Sequence, residues 1–528
     1  SRGNAQTPRD FDRFIFWGEI ILSDFEEIDR NAVNAEKLYA NLSRLKEISA
    51  DYLDEEQKAV VREIWGDNAV QDSVGSFWRH IRPDSDNDMT TQFLNLWEML
   101  GDIYTRFAGR LHERGVATSG MQYREALRRV RTETAAVTAG NEFVFVGFNS
   151  PSVVETLIFD HLRSVGKAEF YWDTASPYIH KGSTAYSILS RLVRKFPMPQ
   201  DFELDRIDTV PEIDIIGVPS RTAQTKVACS LLNEWITQGY ISPDNAIGTA
   251  IILPDESLLM SLLHSMPERL HALNITMGMP FANTAFAAML RSVVSMQLRA
   301  RRIRGEWRFF HEDIIEVLAH PHLRTAASEE GSMLRRHIIS NNLYTVEARE
   351  LAELAPRLAF VFRAVDDANN ISGVHGYLSG LVEGLHCILV EKAGQRAGWE
   401  LEVLQYLKRE IDDLAAHVAA HGIEAGERSY FSLFERALRT LTINMAGTPL
   451  KGLQIMNVAE TRGLDFDNVV FLSMNERVFP RRHRAKTMIP NNLRAGYGLP
   501  PVDRDESEAA YYFYRLLGRA KRVALLYD

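Results

Sequence analysis

The chain has 528 residues, too many for a single hydrophobic core, so two to four domains are expected. Its 45% hydrophobic and 25% charged content is ordinary for a globular protein, and a net charge of −10 excludes a surface that is basic all over, so any nucleic-acid contact must be local and salt-sensitive. No apolar run is long enough to span a bilayer and the polar start, Ser1 to Asp10, lacks a signal-peptide core, which makes a cytoplasmic protein with no membrane partner the expectation.

Residues 11 to 134 carry apolar side chains at helical spacing, as in Phe93, Leu96, Trp97, Leu100, Ile103, Tyr104, Phe107 and Leu111, and predict a helical domain over 1–138. Asp84-Ser-Asp-Asn-Asp88 resembles a calcium loop only briefly. Met89 stands where such a loop needs glycine, and Asn95 where it needs a bidentate glutamate, so a solvated linker or cap is expected. The texture changes at Phe143-Val-Phe-Val-Gly-Phe148, an apolar run suited to a buried parallel strand. A helix over 152–165 and a second strand over 168–172 complete a βαβ unit whose turn, Gly147-Phe-Asn-Ser150, lies where α/β sheets hold ligands.

A polar, proline-containing link over 197–211 predicts a domain boundary. Strands at 213–218, 249–253 and 274–277 then alternate with helices at 223–238, 256–265 and 284–297, predicting a second parallel sheet over 206–305. From 306 to 450 the pattern reads as helical throughout, as in Trp399, Leu401, Val403, Leu404, Leu407 and Ile411. The sheet resumes over 451–528 with strands at 453–458, 469–473 and 522–526 and a helix at 506–518. Residues 306–450 therefore read as an insertion, and 139–205 as a first, partial α/β lobe. Cys229 and Cys387, far apart in apolar helical patterns, read as two buried thiols, which argues against a disulfide framework or a cysteine-based zinc site.

The most motif-like stretch runs from Leu453 to Pro480. Two β-type runs flank a polar turn, Glu460-Thr-Arg-Gly-Leu-Asp-Phe-Asp467, and a loop, Asn475-Glu-Arg-Val-Phe-Pro480, follows. Its companion, Asp505 to Tyr527, has an acidic start, an aromatic-rich helix and Arg519-Ala-Lys-Arg522. Together these segments resemble motifs V and VI of the superfamily 1 helicases and, more narrowly, the helicase-like part of AddB-type proteins, which in many bacteria also carry a PD-(D/E)XK nuclease domain. The segments at 143–173 and 249–280 resemble the same family.

The resemblance implies two RecA-like parallel-sheet lobes, the first partial, with all-helical 1B-like and 2B-like insertions. It implies an arginine-finger role for Arg519, a nucleotide contact at Gly463, Asp465 and Arg519, and a DNA contact at Thr461 and Arg462. The basic stretch that follows, with Asn475, Phe479, Arg481, Arg482, Arg484 and Lys486, is the candidate for phosphate and base contact; a second basic cluster lies at Arg299, Arg301, Arg302 and Arg304. The implied partners are single-stranded DNA or a duplex end and an AddA-like motor-nuclease subunit.

Several motifs that hydrolysis needs do not occur. The sequence holds no G-x-x-x-x-G-K-[ST], so ATP and magnesium would be bound only if a longer protein supplies that loop upstream of Ser1. Gly147-Phe-Asn149 stands where an active motor places an Asp-Glu pair. No Pro-Asp is followed downstream by Glu-x-Lys; the single Glu-x-Lys, Glu56-Gln-Lys58, precedes all three Pro-Asp pairs. No metal-ligand set is expected. The leading expectation is an ATPase-inactive, DNA-binding scaffold of a double-strand-break repair helicase-nuclease. Its alternatives are a DNA-dependent ATPase whose P-loop and nuclease domain lie outside this chain, and a structural interaction module with a vestigial nucleotide cleft.

Overall fold

The computed structural model describes residues 8–39, 88–207, 210–326, 328–365, 371–393, 398–420, 427–444, 451–481, 487–500 and 504–528. The chain divides into two compact units. One comprises Phe16–Thr276 and Gly447–Asp528, the other Met277–Ala446 with the start of the first helix. Asp84 to Asn87, Glu56 and Lys58 lie outside the described residues, as do Arg482, Arg484 and Lys486.

The first unit is built on a six-stranded sheet whose strands all run parallel. With β1 (Phe143–Val146) and β2 (Ala168–Tyr171) forming a separate parallel pair, the sheet uses β3 (Glu212–Gly217), β4 (Thr249–Ile252), β5 (Leu273–Ile275), β6 (Leu453–Met456), β7 (Asn468–Phe471) and β8 (Arg522–Tyr527) in the order β3-β8-β7-β4-β6-β5. The central strands β4, β6 and β7 are buried at every position, the polar Thr249, Gln454 and Asn468 included, and apolar residues fill their other positions on both faces. Every strand of the expected sheet is found, with ends shifted by one or two residues. The mixed α/β class holds.

The expected boundary at 205 does not separate two cores. A two-stranded sheet cannot bury its own apolar face, and Phe170, Trp172 and Phe196 instead share one cluster with Ile252, Met456, Phe471 and Leu516. The described parts of this link, 197–207 and 210–211, carry no regular helix or strand, and they belong to one unit.

Helices cover the rest of this unit. In α1 (Pro8–Arg30), Ile21, Phe25 and Ile28 are buried at helical spacing, and they meet Trp97 and Leu100 of α2 (Asp88–Glu113) together with Ile489, Leu493 and Leu499. Polar contacts fix the last of these segments. Arg494, 2% exposed, makes a bidentate pair with Glu27 and donates from Nε to the Pro500 carbonyl at 3.0 Å, while Asp24 accepts from Thr487 Oγ1 at 2.6 Å and from the Met488 amide at 2.8 Å.

The second unit corrects two expectations. It starts at Met277, so the helix Ala285–Arg299 packs with it. It is also not all-helical. A three-stranded antiparallel sheet joins Arg301–Ile303, Glu306–Phe310 and Thr345–Glu347, and a short antiparallel pair, Met279–Pro280 with Thr442–Ile443, closes the two ends of the unit together. The reason is local: Arg304 and Gly305 both take positive φ and make a two-residue hairpin turn before a run of strand-favouring aromatics. Cys229 is buried as expected, but Cys387 is exposed, because it falls on the outer side of the helix Ile371–Ala393. Among the described residues no helix is long and apolar enough to cross a membrane.

Two outcomes test this packing. An added Cβ at Gly452 would lie 2.5 Å from the Ala272 carbonyl carbon and 2.7 Å from the Leu273 amide, so the backbones at the β5–β6 junction leave no room for it. Gly452→Ala should lower stability by about 2–3 kcal/mol in urea unfolding, within the range measured for overpacked sites. Burial raises the Asp24 carboxyl to about 6 despite its two hydrogen bonds. A raised carboxyl stabilises the fold at low pH and loses that contribution as pH rises from the ordinary carboxylate range through 6. The thermal midpoint should therefore carry a downward component between about pH 4 and pH 6 that Asp24→Asn removes.

Candidate functional site

The candidate site is a cleft of about 630 Å³ at the carboxyl ends of β1, β2 and β6, all within the first unit. Strand ends place ligand sites in parallel sheets because the connecting loops converge there. Here the loops are Gly147–Pro151 after β1, Trp172–Asp173 after β2 and Arg462–Gly463 beyond β6. The remaining wall is one face of α3 (Arg504–Arg519), which presents Tyr511, Tyr512, Arg515 and Arg519, with Glu508 one turn earlier paired to the cleft residue Arg462.

Four of these charged groups form a closed network. Arg515 donates from Nε to Asp173 Oδ2 at 2.7 Å, from Nη2 to Asp465 Oδ1 at 3.0 Å and from Nη1 to the Leu464 carbonyl at 2.7 Å. Arg519 donates from Nη2 to Asp173 Oδ1 at 2.9 Å and from Nη1 to Asp465 Oδ2 at 3.3 Å. Each aspartate thus holds both guanidiniums, one on each oxygen. Burial alone would push the Asp173 carboxyl up, but the two arginines outweigh it and keep the group below its ordinary value. The Arg515 side chain is 8% exposed, and a planar guanidinium with all its acceptors fixed suits such a buried position better than an ammonium would.

The rest of the cleft is also internally matched. Arg462 pairs with Glu508 at 2.8 Å and stacks over the Tyr512 ring at 4.9 Å. Tyr512 donates its hydroxyl toward Glu508 and Asn149, and burial, ahead of the Glu508 charge, pushes it up to about 12. Glu155 is taken by the capping box of the helix Val153–Ser164, where it accepts from the Ser152 amide at 2.6 Å. Arg462, Arg515 and Arg519 therefore face Glu155, Asp173, Asp465 and Glu508. Two donors stay without a hydrogen-bond partner, Asn149 Nδ2 and Arg519 Nε.

The expected site residues separate into two groups. Arg462, Gly463 and Arg519 line the cleft, and Asp465 reaches it through its ion pairs. Thr461, expected at a DNA backbone, is 2% exposed and spends its hydroxyl on the Val458 carbonyl inside a short 3₁₀ turn. Asn475 donates to the Asp528 carbonyl at 2.7 Å, and Phe479 packs on Phe471 and Phe513 instead of standing free for a base. Arg481 is exposed. The turn after β1, Gly147-Phe-Asn-Ser-Pro151, brings no carboxylate to the cleft.

Sequence reading passed over Asp173 and Arg515, the two best-buried members of the network. One signal was available, since Arg515 and Arg519 lie four apart at the end of the 506–518 helix pattern and share a face once that helix extends by one residue. Their partner across 342 residues of sequence gave none.

Removing one side of a buried pair strands the other, which costs about 3–5 kcal/mol. Arg515→Ala should destabilise the chain by that order in urea unfolding. Arg519→Ala should cost less, because Asp173 keeps its Arg515 bond, and Arg515→Met with Asp173→Asn should recover much of the loss. No protein-family model and no curated protein sequence matches this chain, so its functional reading rests on the cleft and on the sequence motifs.

Proposed function

We propose that this chain is a helicase-like scaffold of an AddB-type double-strand-break repair machine, with a RecA-like second lobe whose nucleotide cleft is closed by its own ion pairs. The observation that carries this reading is the engagement of Arg519 by Asp173 and Asp465. A finger that stabilises a γ-phosphate must present its guanidinium to the incoming charge. Here a polyphosphate would have to break two charge-assisted pairs and then sit against four carboxylates, each step unfavourable at low dielectric.

The parallel sheet, the 277–446 unit between β5 and β6, and the turn at Arg462–Gly463 beside α3 support the helicase-like assignment. On this reading the first lobe is partial and the inserted unit is 2B-like, and the chain works in the cytoplasm beside an AddA-like motor-nuclease subunit. It binds DNA through local basic surface, the only kind that a chain of net charge −10 offers. ATP and magnesium chemistry belongs to the partner.

Nucleotide titration tests this directly. The expected result is ATP binding weaker than about 1 mM with or without magnesium, no turnover, and no change on Arg519→Ala. Micromolar ATP binding with DNA-stimulated hydrolysis that Arg519→Ala abolishes would instead establish the DNA-dependent ATPase reading.

A further inference from the structure

The 277–446 unit carries a feature that the motif comparison does not address. Its hairpin, Arg301–Ile303 paired with Glu306–Phe310, is closed by Arg304-Gly305, with φ of 54° and 92°. Positive φ at both turn positions matches the right-handed strand twist, and the hairpin is two-stranded only at its tip, because Thr345–Glu347 pairs with Arg308–Phe310 at its base.

The charge on this hairpin is set out unevenly. At its base Arg299 is neutralised by Asp313 at 2.7 Å and lies over the Phe310 ring, and Arg308 is paired with Glu347. Toward the tip the pairing stops. Arg301 and Arg302 donate only to the nearby backbone carbonyls of Ala300 and Gly305, and none of Arg301, Arg302 and Arg304 makes an ion pair among the described residues. All three are exposed. Strand alternation puts Arg301 on one face of the ribbon and Arg302 on the other, with Arg304 at the turn.

We propose that this hairpin is a wing that contacts the sugar-phosphate backbone of duplex DNA, with Arg301, Arg302 and Arg304 each engaging a phosphate. A two-stranded ribbon fits a DNA groove, and arginines on both faces and at the tip reach the phosphate ridges on either side. Guanidinium forks suit phosphate oxygens, and three uncompensated cations within four residues of an otherwise acidic chain concentrate a polyanion at that point. The contact is indifferent to sequence, because it reads phosphates and no base edge. This inference rests on the reading that the chain binds DNA.

The test compares the chain with Arg301→Ala/Arg302→Ala/Arg304→Ala and with Arg304→Gly alone, which removes one charge where glycine suits the backbone. Anisotropy of a labelled blunt duplex is followed against salt. The triple variant should bind about tenfold or more weakly at low salt, and its log-log salt slope should fall by about two to three, the value for three lost phosphate contacts at about 0.9 each. Arg304→Gly should show about one third of the change in slope with no loss of thermal stability. Unchanged affinity and slope in both variants would overturn the wing while leaving DNA binding elsewhere on the chain. A parent chain that binds no duplex at low salt would overturn the wing and the DNA component of the scaffold together, whatever the nucleotide titration gives.

Discussion

The structure of the first unit turns on the ion-pair network in which Asp173 and Asp465 each hold Arg515 and Arg519. A charge moved from water to a protein interior loses solvation worth several kcal/mol, and only a partner at hydrogen-bond distance offsets that loss. Two arginines on one helix face thus demand two carboxylates, and these come from the end of β2 and from the turn beyond β6, 292 residues apart in sequence (465 − 173). The same contact ties the end of β2 to α3 and to the turn beyond β6, beside the apolar cluster that holds Trp172, Tyr511 and Leu516, and its residues Asp173, Arg515 and Arg519 line the cleft. Packing and site geometry have one cause here.

That dependence explains which parts of the molecule could be read from sequence. Strands β4, β6 and β7 announce themselves because burial on both faces fills most of their positions with apolar residues, and the helix after β1 because Ser152 and Glu155 have capping-box spacing. These signals are local. The assembly of β1 and β2 with the larger sheet is not, since an irregular 197–211 link looks the same whether it joins two domains or crosses one. The three-stranded antiparallel sheet around Trp307 was missed for a related reason: strong helical stripes on either side, as at 399–418, hid a short hairpin whose one clear marker is the Arg304-Gly305 turn. Cys387 was misplaced because an apolar helix still has an outer face.

The site was legible in part. Arg462, Gly463, Asp465 and Arg519 do converge, as their motif pattern implied, but a motif specifies residue types and leaves out what pairs with them. Arg519 in isolation is a cation available for a phosphate; beside Asp173 it is half of a neutral pair. Thr461 and Phe479 make the same point, the first spending its hydroxyl within its own turn and the second its ring on the core.

The two arginine groups of the chain therefore differ in what surrounds them and not in kind. In the cleft every guanidinium has a carboxylate, and strong binding of a polyphosphate there has to be bought with broken pairs. On the hairpin three guanidiniums have none among the described residues, and Arg301 and Arg302 are engaged only by neutral backbone carbonyls, so a phosphate there would displace no carboxylate. Free energy of anion binding follows this difference in compensation far more than the number of arginines. An anion entering the cleft competes with carboxylates already in place, and one approaching the hairpin tip competes with none among the described residues.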